Sequence, residues 1–243
     1  MLKDYKRKLL KSYNLTHVAY LDTDDQSKLD WFLKYVKRNY LSCINRYDKN
    51  SSKILEIGCN RGYMLTALKS FGFQNLHGVD LSPDDVEKAK ILVPSAEVVC
   101  ADAFDYLKDK LEQFHIIILK AVLEHVQKDE IMPFLEKIKD SLNFEGSAII
   151  DVPNMDWLFA SHERYMDFTH EVGFTKESLR QIMNSVFSSV HVIAVDNILE
   201  SSLFTTGKKR IARFICKKIL SWADPESAGN PIWARSIIGI GKK

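Results

Sequence analysis

The strongest constraint on the fold is an alternation of short apolar segments with helix-like stretches, which begins near Lys53. The apolar segments cover residues 54–57, 76–79, 97–100, 114–119 and 147–152, and two more follow at 190–195 and 234–240. Helix-like stretches at about 63–71, 83–92 and 129–142 separate them. Wholly apolar strands that alternate with helices are typical of a parallel sheet covered on both faces. The sequence therefore predicts a doubly wound α/β fold with a mostly parallel, seven-stranded sheet.

Three segments lie outside this alternation. Apolar residues at helical spacing predict a helix over about 26–47, so we expect residues 1–50 to form a helical extension that packs on the core. The main domain would then cover 51–243. Two insertions interrupt it, at about 153–174 after the fifth strand and at about 197–231 after the sixth.

Composition and charge narrow the class of protein. The chain has 243 residues and a net charge of +2, which argues neither for nor against a polyanionic partner. Its four cysteines are widely spaced without a CxxC pair, a pattern that disfavours a zinc site and fits a reducing compartment. The N-terminus lacks the apolar segment of a secretory signal, and no apolar run is long enough to span a bilayer. We expect a cytoplasmic protein, and nucleic acid is disfavoured as a partner.

The stretch "EIGCNRG" joins the first predicted strand to the following helix. Glycines such as Gly58 and Gly62 let a backbone approach a ligand closely, but their spacing departs from that of a dinucleotide-binding loop. Glu56 places an acid beside the loop, which suits a ligand with a cationic group. A tight turn without any ligand is the alternative.

Acids also follow the second and third predicted strands. Asp80 ends "LHGVD" and has two acceptor oxygens for the hydroxyls of a ribose. Asp102 follows the third strand, where it could accept a hydrogen bond from an adenine amino group. Ligands of open α/β sheets bind beyond the carboxyl ends of the strands, so these acids should share one edge.

The motifs "EIGCNRG", "GVDLSP", "ADAF" and "LKAVLEHV" occur in this order, and with them residues 53–195 resemble the class I S-adenosylmethionine-dependent methyltransferases. The resemblance implies S-adenosyl-L-methionine as cofactor and S-adenosyl-L-homocysteine as product. It assigns cofactor binding to Glu56, Gly58, Asn60, Gly62, Asp80, Leu81, Asp102, Ala103 and Lys120. Two positions depart from the family pattern. Asn60 stands where glycine is frequent, although Asn tolerates positive φ, and His115 opens the fourth strand, where we expect a structural role.

The first insertion contains "SHERYMDFTHEVGFT". With the following "F-T-x-E-S-L" pattern it resembles methyltransferases of surface-polysaccharide and O-antigen gene clusters, whose presumed acceptors are sugar hydroxyls. The resemblance implies that His170 is the general base, because a histidine can take a proton at neutral pH. His125 is the second catalytic candidate. Acceptor binding would fall on Glu124, Arg164, Tyr165 and Asp167.

These motifs predict an O-methyltransferase that acts on a sugar, a nucleotide-sugar or a related capsule or O-antigen precursor. The alternatives are a methyltransferase of another small molecule, with a quinone-like, lipid-like or amino-acid-derived acceptor, and a non-catalytic cofactor-binding protein. His170 could instead be structural, and Glu124 and His125 could merely start a helix. A metal set of His162, Asp167, His170 and Glu171 is disfavoured by its irregular spacing, so no metal is expected.

Residues 206–222 read as a basic amphipathic helix. Such a helix can lie on an anionic membrane surface as a peripheral contact. It could equally cover a homodimer surface or close the acceptor pocket over a phosphorylated sugar.

Overall fold

A computed structural model describes residues 8–9, 25–197, 203–223 and 234–243. One sheet contains seven strands: β1 (Lys53–Ile57), β2 (Asn75–Asp80), β3 (Glu97–Cys100), β4 (Phe114–Lys120), β5 (Leu142–Pro153), β6 (Ser189–Ala194) and β7 (Ser236–Lys242). Their order across the sheet is β3-β2-β1-β4-β5-β7-β6. The first five strands pair in parallel, and β7 is antiparallel to both of its neighbours. The predicted fold is therefore confirmed.

The helices begin and end where the local sequence favours it. They are α1 (Asp25–Asn39), α2 (Leu41–Ile44), α3 (Tyr63–Ser70), α4 (Pro83–Leu92), α5 (Ala103–Leu107), α6 (Ile131–Ser141), α7 (Ala160–Tyr165), α8 (Lys176–Asn184) and α9 (Leu203–Ala223), with a 3₁₀ turn at Leu123–His125. Ser82 caps α4 by accepting from the Asp85 amide, and Pro83 takes the first turn, where a missing N–H costs nothing. Thr175 and Ser178 form a reciprocal capping box at the start of α8.

Two apolar layers cover the two faces of the sheet. Alternate residues of a strand point to opposite faces, so Ile117 and Leu119 of β4 join one layer while Ile116 and Ile118 join the other. All four of these side chains are fully buried. One layer includes residues of α6 and α8, and the opposite layer includes residues of α1, α3 and α4. At the start of β4, Nδ1 of His115 accepts the Lys53 amide at 3.0 Å, which is the structural role expected for it.

Helix α1 is fastened to the sheet by two phenol groups. The Tyr35 and Tyr40 hydroxyls donate to Oδ2 of Asp151 at 2.6 and 2.8 Å, close to the end of β5. Asp151 is only 2% exposed, and both rings are buried. Residues 25–44 thus pack on the core, while residues 1–7 and 10–24 of the predicted extension lie outside the described residues.

The two insertions differ in what they contact. Residues 153–174 contain α7 and return to the sheet through a bridge between Asn154 and Phe174, both of which are buried. Helix α9 lies within the second insertion, where its apolar residues Ile211, Phe214, Ile215, Ile219 and Trp222 are exposed. The contact predicted for this helix stays a prediction. Within the described residues, no helix has both the length and the apolar character that crossing a membrane demands.

Candidate functional site

A cleft of about 250 Å³ opens at the carboxyl end of β1. It lies where the strand order reverses between β1 and β4, the position at which open α/β sheets bind ligands. Its lining comes from α1, from β1 and the loop after it, from the start of α3 and from the end of β4 with the residue that follows, namely Lys28, Phe32, Glu56, Gly58, Cys59, Asn60, Arg61, Tyr63, Met64, Lys120 and Ala121. The loop recognised in the sequence therefore forms a wall of the cleft.

The backbone of this loop adopts conformations that favour glycine. Gly58 and Gly62 have φ values of 72° and 82°, and Asn60 has a φ of 45°, as expected for an asparagine that replaces glycine. A Cβ atom on Gly58 would lie 2.5 Å from Cγ2 of Val122, so no side chain fits there. The turn thus keeps the backbone close to the segment that follows β4.

Asp80, the last residue of β2, ties the loop to its neighbour strand. Its Oδ2 accepts the Asn60 amide at 2.8 Å, and its Oδ1 accepts the Ser82 amide at 2.9 Å. Burial raises the pKa of Asp80, although these amide donors oppose the shift. A carboxylate has about four lone-pair sites. Asp80 can therefore hold the loop and also accept bonds from the hydroxyls of a ribose.

Glu56 and Lys120 give the cleft a buried acid and a nearby cation. Glu56 is 4% exposed, and its Oε2 has no hydrogen-bond partner among the described residues. Burial raises its pKa well above the usual range; the Asp80 charge adds to the shift and Lys120 opposes it. Nζ of Lys120 lies 3.6 Å from Oδ2 of Asp151 and 4.8 Å from the centre of the Tyr35 ring. An unpartnered carboxylate oxygen fits the ammonium group of S-adenosylmethionine.

Asp102 precedes α5, at the same edge of the sheet, and caps its N-terminus. Its Oδ1 accepts the Phe104 amide at 2.8 Å, so the side chain caps the helix. Leu81 and Ala103 are partly buried at the ends of β2 and β3. A contact of these three residues with adenine stays a prediction.

A second polar cluster follows β4 and joins two distant segments. Glu124, His125 and His170 bring one ligand atom each to within 4.8 Å of the others, and the two imidazole rings lie 4.7 Å apart between centres. The Glu124 carbonyl accepts the amides of Glu171 and Val172 at 2.8 and 3.2 Å, which fastens the insertion to the turn after β4. Burial raises the pKa of the Glu124 carboxyl group to about 8. The structure thus assembles both predicted catalytic histidines.

The hydrogen bond of His170 fixes which ring nitrogen carries a proton. Its Nδ1 lies 2.8 Å from the carbonyl oxygen of Glu163, which can only accept, so Nδ1 is protonated. In the neutral ring, Nε2 therefore carries the lone pair. Burial lowers the pKa of His170, against a smaller opposing effect of Asp167. This favours the neutral, proton-accepting form at neutral pH.

His125 is oriented by a chain of hydroxyl and carboxylate groups. Its Nδ1 lies 2.8 Å from Oγ1 of Thr169, and that hydroxyl donates to Oδ1 of Asp167 at 2.7 Å. The Thr169 oxygen therefore accepts from Nδ1, and Nε2 carries the lone pair of the neutral ring. Asp167 is buried and supports His125 through Thr169. Its predicted contact with an acceptor remains a prediction.

Arg164 and Tyr165 differ sharply in their surroundings. The two terminal nitrogens of Arg164 donate to the carbonyls of His170 and Glu171 at 2.6 and 2.9 Å, which holds the loop that carries His170. The role of Arg164 toward an anionic acceptor group stays a prediction. Tyr165 is 78% exposed and is available to a ligand.

The metal set weighed in the sequence is not assembled. His162 is exposed on α7 and does not belong with the three residues that come together after β4. Among the described residues, the group that the structure does assemble, Glu124, His125 and His170, takes only His170 from the disfavoured set.

Several site residues could not be identified from the sequence. Lys28 and Phe32 reach the cleft from α1, whose helical spacing gives no indication of which face meets a ligand. Asp151 forms an ion pair with Lys120, and Thr169 forms a hydrogen bond with His125. A usable signal existed for Asp151, since it is an acid near the carboxyl end of a buried strand, as Asp80 is.

Comparison of the sequence and the fold with known proteins identifies a family for this chain. The family model described as "Methyltransferase domain" matches residues 32–186, more than half of the chain. No curated protein matches the sequence.

Solved structures share the fold at low sequence identity. A SAM-dependent methyltransferase from Archaeoglobus fulgidus is 20% identical, with a TM-score of 0.63 over 90% of this chain and 100% of that one. The plantazolicin methyltransferase BamL, in complex with a triazolic desmethylPZN analog and SAH, is 18% identical, with a TM-score of 0.60 over 98% and 96%. Phosphoethanolamine N-methyltransferase 2 from Haemonchus contortus, in complex with phosphomonomethylethanolamine and S-adenosylhomocysteine, is 16% identical, with a TM-score of 0.66 over 100% and 61%. On the strength of the family match, the chain belongs to the methyltransferase domain family.

Proposed function

We propose that this methyltransferase transfers the methyl group of S-adenosylmethionine to a hydroxyl group of a sugar-containing small molecule. The acceptor class that we favour is a sugar, a nucleotide-sugar or a related capsule or O-antigen precursor. The observation that carries the proposal is the bond from Nδ1 of His170 to the Glu163 carbonyl, which leaves the lone pair on Nε2. A hydroxyl acceptor needs such a base, because a neutral hydroxyl is a weak nucleophile.

The cleft supports the choice of cofactor. Glu56 would face the ammonium group of the methionine part, and Lys120 would face its carboxylate. The remaining acceptor capacity of Asp80 suits the ribose hydroxyls, and Asp102 would meet the adenine amino group. Two of the neighbouring structures contain the demethylated product, which is consistent with this cofactor.

The chemistry requires an in-line displacement on the methyl carbon. A bond forms between the acceptor oxygen and the methyl carbon while the carbon–sulfur bond breaks, and its electron pair stays on sulfur as S-adenosylhomocysteine. The hydroxyl proton passes to Nε2 of His170. The residues around the cleft would hold the oxygen in line with the carbon–sulfur bond. This positioning accounts for much of the rate enhancement.

Aromatic and acidic groups near His170 support a sugar acceptor. Tyr165 and Phe168 are 78% and 83% exposed on the segment that carries His170, and their flat faces suit the apolar face of a sugar ring. We assign Glu124 to acceptor binding as well, because its carboxyl oxygens have no hydrogen-bond partner within the described residues; since the side chain is 2% exposed, it would have to turn toward the sugar.

The decisive variant is His170→Ala. If His170 is the base, kcat should fall roughly 10²–10⁴-fold while the affinity for S-adenosylhomocysteine is nearly kept. His191→Ala, at an exposed histidine on β6, is the matched control and should leave kcat unchanged. A normal kcat in His170→Ala would assign that residue to structure.

An acceptor panel separates the alternatives. It should contain nucleotide-sugars, phosphoethanolamine as the type of acceptor named by the Haemonchus contortus neighbour, a quinol and an amino-acid-derived amine. Turnover only on a non-sugar compound would replace the sugar proposal. Tight cofactor binding by calorimetry without turnover on any acceptor would favour a non-catalytic binding protein, and no binding would refute the proposal entirely.

A further inference from the structure

The carboxyl group of Glu124 is buried, and its two oxygens have no hydrogen-bond partner among the described residues. The side chain is only 2% exposed. Buried charged or polar groups are normally hydrogen-bonded, paired or bound to a metal, because desolvation without a partner is costly. These two oxygens therefore need a further group to bind them.

Two imidazole rings stand beside this carboxylate with their second nitrogen fixed. Nδ1 of His170 is bonded to a backbone carbonyl, and Nδ1 of His125 is bonded to the Thr169 hydroxyl, itself held by Asp167. Histidines that bind metals nearly always donate their other N–H to a carbonyl, a carboxylate or a similar group, which fixes the ring and its tautomer. Both rings show this arrangement.

The segments that carry the three side chains are fixed to one another by backbone bonds. The Glu124 carbonyl accepts two amides of the 170–172 segment, and Arg164 holds the carbonyls of His170 and Glu171. One ligand atom from each side chain lies within 4.8 Å of the others. Ligands about 2.0–2.2 Å from one ion stand about 3–3.5 Å apart, so small side-chain rotations would close the set.

We propose that Glu124, His125 and His170 form a binding site for a divalent transition-metal ion. Two imidazole nitrogens and one carboxylate oxygen suit Mn²⁺, Fe²⁺, Co²⁺, Ni²⁺ or Zn²⁺, whereas Mg²⁺ and Ca²⁺ prefer oxygen ligands. Three protein ligands leave coordination positions open, as catalytic metal sites do. The site follows Lys120 and Ala121, which line the cofactor cleft, so an acceptor oxygen on the ion would lie near that cleft.

A bound ion changes how the acceptor hydroxyl is activated. The ion and a proton compete for the same lone pair on His170, so the base role proposed above belongs to the metal-free protein, and in the metal-loaded protein His170 would be a ligand. When bound, the ion would supply a lower pKa to an acceptor hydroxyl held beside it, which would ease the loss of that proton. The inference itself rests on the cluster and not on the identity of the acceptor.

The test is direct titration with Co²⁺ of the full chain after removal of metals with a chelator. Calorimetry and the visible absorption of Co²⁺ should show one ion per chain. Glu124→Gln and His170→Ala should each weaken binding by roughly 100-fold or more, and Thr169→Val, which removes the hydroxyl that links His125 to Asp167, by about 10–100-fold. His162→Ala, outside the cluster, is the matched control and should bind as the native chain does.

Each variant is first checked for folding by thermal unfolding and by its affinity for S-adenosylhomocysteine, which reports the cofactor cleft separately. Added Co²⁺ should raise the unfolding temperature of the native chain and of His162→Ala but not that of Glu124→Gln. Failure of the native chain to bind Co²⁺ would overturn the proposal. So would binding that His162→Ala abolishes and Glu124→Gln keeps. Since the readout is metal binding, a wrong acceptor leaves the result unaffected.

Discussion

Replacement of Asp80 by alanine tests the ribose role of the acid that ends β2. Each carboxylate oxygen already accepts one backbone amide, from Asn60 at 2.8 Å and from Ser82 at 2.9 Å. Hydrogen bonds to charged groups contribute about 1.5–3 kcal/mol each, and water replaces part of that at a partly open site. We therefore expect Asp80→Ala to weaken binding by about 1–3 kcal/mol, which is about 5–150-fold in Kd. Calorimetric titration with S-adenosylhomocysteine measures this, with the exposed Glu87→Ala on α4 as control.

The alanine variant also removes the two bonds that hold the loop, so a second ligand must separate the two effects. A 2′,3′-dideoxy analogue of S-adenosylhomocysteine lacks the hydroxyls that Asp80 would bind. If Asp80 contacts them, the loss of affinity caused by Asp80→Ala should be clearly smaller for the analogue than for the natural ligand, because the analogue has no such hydroxyl bonds to lose. Fully additive losses would show that Asp80 acts only by holding the loop, and an unchanged affinity for the natural ligand would refute both roles.

Three further perturbations test the buried groups around the cleft. Folding raises the pKa of Glu56 above its value of about 4.3 in the unfolded chain. As pH rises above that value, Glu56 ionises in the unfolded chain while it stays protonated in the folded one, so the free energy of unfolding falls. Glu56→Gln should therefore raise the free energy of unfolding in urea by about 1–3 kcal/mol at pH 8 and by much less at pH 4, whereas the exposed Glu136→Gln should show no such difference. Gly58→Ala should lower the melting temperature through a loss of about 1–3 kcal/mol, while Gly207→Ala, where nothing lies within 4 Å, should be neutral or stabilising; equal effects would contradict the clash with Val122. Tyr35→Phe should cost about 1–2 kcal/mol in urea unfolding, and no loss would mean that its bond to Asp151 is not stabilising.

The sheet was predictable from the sequence because its signal is local. Each strand of the parallel core is a short apolar run bounded by polar or glycine residues, and burial on both faces leaves few alternatives for segments such as 116–119. The positive φ at Asn60 followed in the same way, since the turn between β1 and α3 needs it and asparagine tolerates it.

The arrangement of polar groups was not predictable, because it depends on contacts between distant segments. Glu124 and His170 are far apart in sequence, and they are brought together by the amides of Glu171 and Val172 on the Glu124 carbonyl and by the bond between His125 and Thr169. The bond that links Asp167 to His125 through Thr169 was likewise not predictable from the sequence, while the predicted contact of Asp167 with an acceptor stays a prediction. Such tertiary hydrogen bonds decide where side chains point in an irregular insertion. The spacing of apolar residues in the sequence does not indicate them.

The attachment of helix α1 has a thermodynamic consequence. One wall of the cleft, with Lys28 and Phe32, belongs to a helix that Tyr35 and Tyr40 fasten to the sheet through a single carboxylate oxygen of Asp151. A ligand that touches both walls binds only the form of the protein in which α1 is packed on the sheet. Part of its binding free energy therefore stabilises the packing of α1. Ligand occupancy and protection of the α1 amides from hydrogen exchange should therefore rise together, and removal of the helix would cost affinity even with every motif of the β1 loop intact.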